Sequence, residues 1–179
     1  MTESQDIEPY NVLFLCNHNA GRSLMAEAIL NQDGRGLFRA YSAGTNPTGA
    51  VNPVALETLS AEGYPIAGLR SKNVSEFIGP GTPELDFIFT LCDEAAGEPL
   101  PDWADEPVTA HWGIEDPCVV EGSPMDKGRA FETTFKYLKN RLLAFAALPL
   151  EKLDHISLHS HLQEIGRLEG ATQLRAKVG

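Results

Sequence analysis

Apolar positions along this chain alternate between two periods. Asn11 to Leu15 is a short, nearly all-apolar run, as in strands covered on both faces. From Ser23 to about Gln32 the pattern becomes helical, and Gly34 and Gly36 stop it. Leu37 to Ala43 is a second strand candidate, closed by Gly44 and the polar turn Thr45-Asn46-Pro47. Asn52 caps a second helix, with Pro53 in its first position and Gly63 at its end. Asn73, with Glu76 three residues on, is a capping-box variant opening a short helix. Leu85 to Leu91 and Val108 to Trp112 are the third and fourth strands. Ser123-Pro124 starts the longest helix, which Pro149 ends. Its residues Phe131, Phe135, Leu138, Leu142 and Phe145 fall at steps of four and three, marking one buried face.

Strands alternating with helices imply βαβ units. The fold class is therefore α/β, a three-layer open sheet of four parallel strands flanked by helices. The domain is expected over residues 10–148, behind a mobile N-terminal arm of residues 1–9. Residues 149–179 read as a C-terminal helical extension, in which Leu158, Leu162 and Ile165 keep helical spacing before Gly166. Such a helix usually docks on its own domain; a dimer contact is the alternative.

The 179 residues, 42% of them hydrophobic, suit one soluble domain with a proper core. A net charge of -11 argues against nucleic acid or anionic membrane as partner. Any capture of an anion must therefore be local. Three cysteines without disulfide-scaffold spacing suggest a reducing compartment. Residues 1 to 9 lack the basic start and apolar stretch of a signal peptide, and no run is long enough to span a bilayer. A cytoplasmic location is expected.

The segment between first strand and first helix carries the chemistry: Cys16-Asn17-His18-Asn19-Ala20-Gly21-Arg22-Ser23. Backbone N–H groups of such a loop, from Asn17 through Ser23, can surround one tetrahedral anion, helped by the positive end of the following helix. Arg22 adds a planar fork for two oxygens. A thiol at the bottom of that positive bowl is favoured as a thiolate nucleophile. Ligands in open parallel sheets bind outside the carboxyl ends of the strands. Cys92 ends up there after the third strand, Ser42 at the end of the second, and Asp116 shortly after the fourth. A carboxylic acid at Asp116-Pro117 can protonate a departing oxygen.

These residues give the chain a resemblance to the low-molecular-weight tyrosine phosphatase superfamily, and within it to the arsenate reductases built on that fold. The likeness covers about residues 10 to 147. It rests on Cys16 to Ser23, Met25-Ala26-Glu27, Tyr41-Ser42-Ala43-Gly44, Asn52-Pro53, Asp86 to Cys92, and His111-Trp112-Gly113 with Asp116-Pro117. Thr90-Leu91-Cys92 and His-Trp-Gly-x-x-Asp-Pro point to the reductase branch. The resemblance implies that Cys16 attacks arsenate while Arg22 and the loop amides hold its oxygens and Asp116 acts as general acid. Cys92 would then resolve the adduct, releasing arsenite and leaving a Cys16–Cys92 disulfide. No bound cofactor is implied. An external thiol is required: glutathione with glutaredoxin, mycothiol or thioredoxin.

The chain departs from the family in two places. Thioredoxin-coupled members carry a further cysteine about seven residues after the one matched by Cys92; Asp93 to Pro99 holds none, which favours glutathione, mycothiol or glutaredoxin. Cys118, directly after Asp116-Pro117, reads as incidental filler of a lid; the alternative is that it replaces the missing thiol. A cation site of some relatives resembles Asn19, Glu27 and Ser42, but Val74 stands where a hydroxyl is expected, so no metal is predicted. His155, His159 and His161 read as a solvated helix face, and His18 and His111 as tuners of local charge. The rival reading is a phosphotyrosine phosphatase using the same Cys16, Arg22 and Asp116. Its usual aromatic residues beside the acid are absent from Cys118-Val119-Val120-Glu121-Gly122. A non-catalytic anion-binding module is the third reading.

Overall fold

The computed structural model describes residues 8–99, 101, 103 and 106–172. Most of the expected arm, residues 1–7, and the end of the extension, residues 173–179, lie outside the described residues. The elements run β1 (Tyr10–Cys16), α1 (Arg22–Asp33), β2 (Phe38–Gly44), α2 (Pro53–Ala61), β3 (Phe87–Thr90), α3 (Asp93–Gly97), β4 (Val108–His111), α4 (Pro124–Ala146) and α5 (His155–Gly166). Short 3-10 turns cover Val74–Phe77, Pro117–Val119 and Leu150–Lys152.

All four strands are parallel, in the order β2-β1-β3-β4. The chain leaves β1 to one side for β2 and then crosses to the other for β3. The reversal puts the point where ligands enter such sheets at the carboxyl ends of β1 and β3. Register aligns those ends: Cys16 pairs Gly44, Leu15 pairs Thr90, and Thr90 pairs His111. β1 is buried from Val12 to Cys16 because both its faces are covered. Val12, Phe14, Phe87 and Phe89 share one core with Met25, Ile29, Phe131, Phe135, Leu142 and Phe145 of the helices. Leu13, Leu15 and Ile88 face the other way, under Phe77, Leu85 and Trp103.

Helix ends follow the expected chemistry. Asn52 accepts from the Val54 N–H with Pro53 first in α2, and Ser123 and Asp126 form a reciprocal capping box on α4. Two expectations shift. β3 is shorter than Leu85–Leu91, and Trp112 leaves the strand to stack on Phe89 at a 3.8 Å centroid separation. Asp93–Gly97, for which no element is expected above, is helix α3, with the Cys92 sulfur as its cap.

The segment after α4 is tied to the core. Leu162 and Ile165 of α5 are buried with the main cluster, and the Trp112 indole donates to Leu162 O at 2.9 Å. A Cβ on Gly166 would meet His111 O and Trp112 Cδ1 at 2.9 Å, so the close crossing requires glycine. Arg141, fully buried, donates to the carbonyls of Leu168 and Glu169, and Ala171 bridges to Ile114. Truncating Leu162 to Ala would cost about 2–5 kcal/mol.

Candidate active site

The loop after β1 is turned by where its carbonyls go. The carbonyls of Cys16, Asn17, His18 and Ala20 accept from Thr45, Asn46, Thr48 and Asn52 N–H respectively, at 2.8–3.2 Å. A trans peptide points its N–H opposite its C=O. Carbonyls bound outward to residues 45–52 therefore turn the following N–H groups inward. The N–H groups of His18, Ala20, Gly21, Arg22 and Ser23 have no acceptor among the described residues. Those of Asn17 and Asn19 do: they donate to the sulfurs of Cys92 and Cys16, at 3.1 and 3.3 Å. Of the seven residues expected to bind an oxyanion, these two donate their N–H groups to sulfur. Asn19 takes a left-handed φ of 47°, which asparagine tolerates better than most residues. Gly44 lets the loop lie against β2, since a Cβ there would meet Asn17 O at 2.6 Å.

Cys16 is 3% exposed, at the floor of the bowl. Its sulfur lies 2.9 Å from Ser23 Oγ, which itself accepts from Asn19 Nδ2 at 2.7 Å. A hydroxyl that accepts from Asn19 can still donate its own proton to a Cys16 thiolate. The side chain of Asn19 is fixed in turn by Lys72 N–H at 2.8 Å. The buried Lys72 ammonium reaches Ser42 Oγ at 3.4 Å, Arg70 O at 3.1 Å and the Glu27 carboxylate at 3.5 Å. Burial pushes the Glu27 carboxyl up and the Lys72 ammonium down, each offset in part by the other's charge. The group formed by Asn19, Glu27 and Ser42 therefore holds a positive charge belonging to the chain. Nothing in the sequence signals this, because a loop lysine between polar neighbours reads as solvated.

Arg22 is held from both sides of the sheet's edge. Its Nη1 donates to Ile114 O at 2.7 Å and lies 3.4 Å from Leu91 O, while Nη2 is 3.5 Å from Asp116 Oδ2. One arm of the fork is thus committed to backbone, which orients the rest. Asp116 accepts from Cys118 N–H at 2.9 Å and caps the turn Pro117–Val119. Its carboxyl lines the same cleft of about 310 Å³ as Cys16, Arg22, Asn52 and Cys118. Among the described residues, no Phe, Tyr or Trp side chain lines that cleft.

Cys92 lies behind the loop. It is fully buried, shares a small cluster with Cys16 and Ala95, and accepts from the N–H groups of Asn17 and Ala95. Burial pushes its thiol up to about 11. The structure therefore brings Cys16, Arg22, Asp116 and Cys92 together, as expected of residues that end or follow different strands. His18 is exposed at the mouth of the cleft, and its Nδ1 lies 3.2 Å from Asn46 O. His111 links Thr90 Oγ1 to Asp93, the first residue of α3, at 2.8 Å on each side. His155 and His159 meet edge to face on α5, and no three His, Cys, Asp or Glu side chains among the described residues gather as a metal site. No helix among them is long and apolar enough to cross a membrane.

An arsenate reductase of Bacillus subtilis is 31% identical over 135 residues, 75% of this chain and 94% of that protein. A glutaredoxin arsenate reductase of Synechocystis is 27% identical, covering 74% of this chain and 95% of that one. A solved arsenate reductase in its phosphate-binding state superposes with a TM-score of 0.63 at 27% identity, covering 77% of this chain and 97% of that one. The family described as low molecular weight phosphotyrosine protein phosphatase matches residues 11–156, and the chain belongs to it.

Proposed function

We propose that the protein is an arsenate reductase. The observation that carries this reading is the second thiol: Cys92 packs against Cys16 and accepts an N–H from its loop. Phosphate transfer through a phosphocysteine needs one sulfur; a two-electron reduction of arsenic needs another to take over the bond. Arsenate reductases of similar sequence and fold, one of them bound to phosphate, support the reading.

In this mechanism arsenate enters the bowl, held by the unpaired N–H groups and by the Nη2 arm of Arg22, which faces Asp116 at 3.5 Å. The Cys16 sulfur attacks arsenic, and Asp116 gives its proton to the oxygen that leaves as water. The Cys92 thiolate then attacks the Cys16 sulfur. The S–S bond forms, the S–As bond breaks, and its electron pair stays on arsenic, which departs as arsenite. The disulfide is returned to two thiols by an external thiol, of which glutathione with glutaredoxin is the first choice. A reducing compartment, the cytoplasm, is where such a cycle can run.

The phosphatase reading keeps one supporting observation, the shared Cys16, Arg22 and Asp116 of the family. A cleft lined by no Phe, Tyr or Trp among the described residues suits a small inorganic oxyanion better than a phenyl phosphate. One assay separates them: arsenate reduction with thioredoxin, glutathione–glutaredoxin and mycothiol in parallel, beside hydrolysis of an aryl phosphate. Reduction with at least one system is expected. Aryl phosphate hydrolysis with no reduction by any of the three would make the protein a phosphatase.

A further inference from the structure

After α5 the chain reaches the reaction rim as a short strap, residues 168–172. Ala171 and Thr172 line a cleft with Asn17, Arg22 and Asp116. Ala171 bridges to Ile114, whose carbonyl accepts from Arg22, and the Thr172 N–H donates to Gly113 O at 3.0 Å. Thr172 Oγ1 lies 2.8 Å from Asp93 Oδ1. The same oxygen is 2.8 Å from His111 Nε2, while His111 Nδ1 is 2.8 Å from Thr90 Oγ1. A carboxylate only accepts, so the hydroxyl and the imidazole both donate to Asp93. A Cβ on Gly113 would collide with Thr172 Oγ1, His111 Nε2 and Asp93 Oδ1, so the cluster closes only over glycine.

We propose that Thr172 is a positioning residue: through Asp93 it holds the Cys92 sulfur in place to attack the adduct on Cys16. This rests on the reading of Cys92 as the resolving thiol. Asp93 directly follows Cys92 and opens α3. On the other side of Cys92, Leu91 is tied by its N–H to Leu15 O at 2.8 Å and by its carbonyl to Ile114 N–H at 3.0 Å. Both neighbours of Cys92 are therefore fixed. The sulfur keeps its side-chain rotation, with which it passes from the Asn17 and Ala95 N–H groups to Cys16.

Helix α3 cannot supply this order by itself, because five residues are too few to hold a helix without outside support. The Asp93 and His111 side chains are 37% and 26% exposed, so water competes for that pair and a second donor on the same oxygen counts. The strap that brings this donor is itself anchored. Buried Arg141 donates to the carbonyls of Leu168 and Glu169, and Gly170 takes a left-handed φ of 96° against the Tyr137 ring. The strap lies past residue 156, where the family match ends. An attacking atom held in line with its target needs no search, and a small misplacement of it slows the step sharply.

The test is Thr172→Val, which keeps the shape and the backbone bonds but removes the hydroxyl. With arsenate and no external thiol, arsenite release in a single turnover should slow by about tenfold or more. Iodoacetamide alkylation of Cys16 and aryl phosphate hydrolysis, which need only the bowl, should match wild type. Thr172→Ser should release arsenite as wild type does. Asp93→Ala should slow release at least as much, and adding Thr172→Val to it should cost nothing further. Release by Thr172→Val at the wild-type rate would overturn the proposal. An equal slowing of Cys16 alkylation would overturn it too, making the strap a support of the whole bowl, as would independent losses in the double variant. Arsenite release by Cys92→Ser would instead strike the reading of Cys92 on which the proposal rests.

Discussion

The sulfur of Cys16 and the hydroxyl of Ser23 are 2.9 Å apart, seven residues apart in sequence and joined across the turn that starts α1. The hydroxyl accepts from Asn19 and has a proton to give to a Cys16 thiolate, where it stabilises negative charge. A hydrogen bond to a charged group contributes about 1.5–3 kcal/mol. Ser23→Ala should therefore slow both arsenate attack and iodoacetamide alkylation of Cys16 at neutral pH, by about ten- to a hundredfold. An unchanged alkylation rate would show that the hydroxyl does not serve the sulfur.

The expected strands, helix caps and loop were legible because each depends on local signals. The apolar run of β1, the Asn52-Pro53 start of α2 and the Ser123-Pro124 start of α4 are read within a few residues. Asp116 and Cys92 were legible through topology, which brings strand ends to one rim. Helix α3 was not: five residues carry too little periodicity, and its cap is a cysteine, a residue that seldom signals a helix start. Lys72 was hidden for another reason. Its burial depends on Glu27 and Ser42, which lie 45 and 30 residues earlier and meet it only in the fold.

Asp116→Asn removes the proton donor but keeps a group able to accept from Cys118 N–H. The first chemical step should slow by about two to four orders of magnitude, as for loss of a general acid. Phosphate affinity, measured by calorimetry, should change little. A normal rate would mean that the departing oxygen takes its proton from elsewhere.

The buried Lys72–Glu27 pair should be costlier to break than to remove whole. Lys72→Met strands a carboxylate and should cost about 3–5 kcal/mol in urea unfolding, as should Glu27→Gln, which strands the ammonium. The double variant should recover part of either loss. Additive losses in the double variant would show that the two charges do not interact.

Cys92 predicts a pH dependence of fixed sign. Its thiol, buried, is pushed up from an ordinary value of 9.0 to about 11. The folded state thus keeps a proton that the unfolded chain loses, so stability is full below pH 9 and falls as pH rises through 11. The slope should be about 1.4 kcal/mol per pH unit between those values, and Cys92→Ser should lack it. Arsenite release in a single turnover should also quicken toward pH 10, because the attacking species is the thiolate. A wild type and a Cys92→Ser variant with parallel stability curves from pH 8 to 11 would contradict the assignment.

The most direct measurement is a single turnover of Cys92→Ser beside wild type, with arsenate and no external thiol, and with aryl phosphate hydrolysis assayed in the same preparations. The account predicts that wild type releases one equivalent of arsenite and gains a Cys16–Cys92 link visible by peptide mass spectrometry. The variant should form the arsenic adduct, release no arsenite, and hydrolyse aryl phosphate as wild type does. Arsenite release by the variant at the wild-type rate, or a wild type that hydrolyses aryl phosphate but leaves arsenate unreduced, would contradict it.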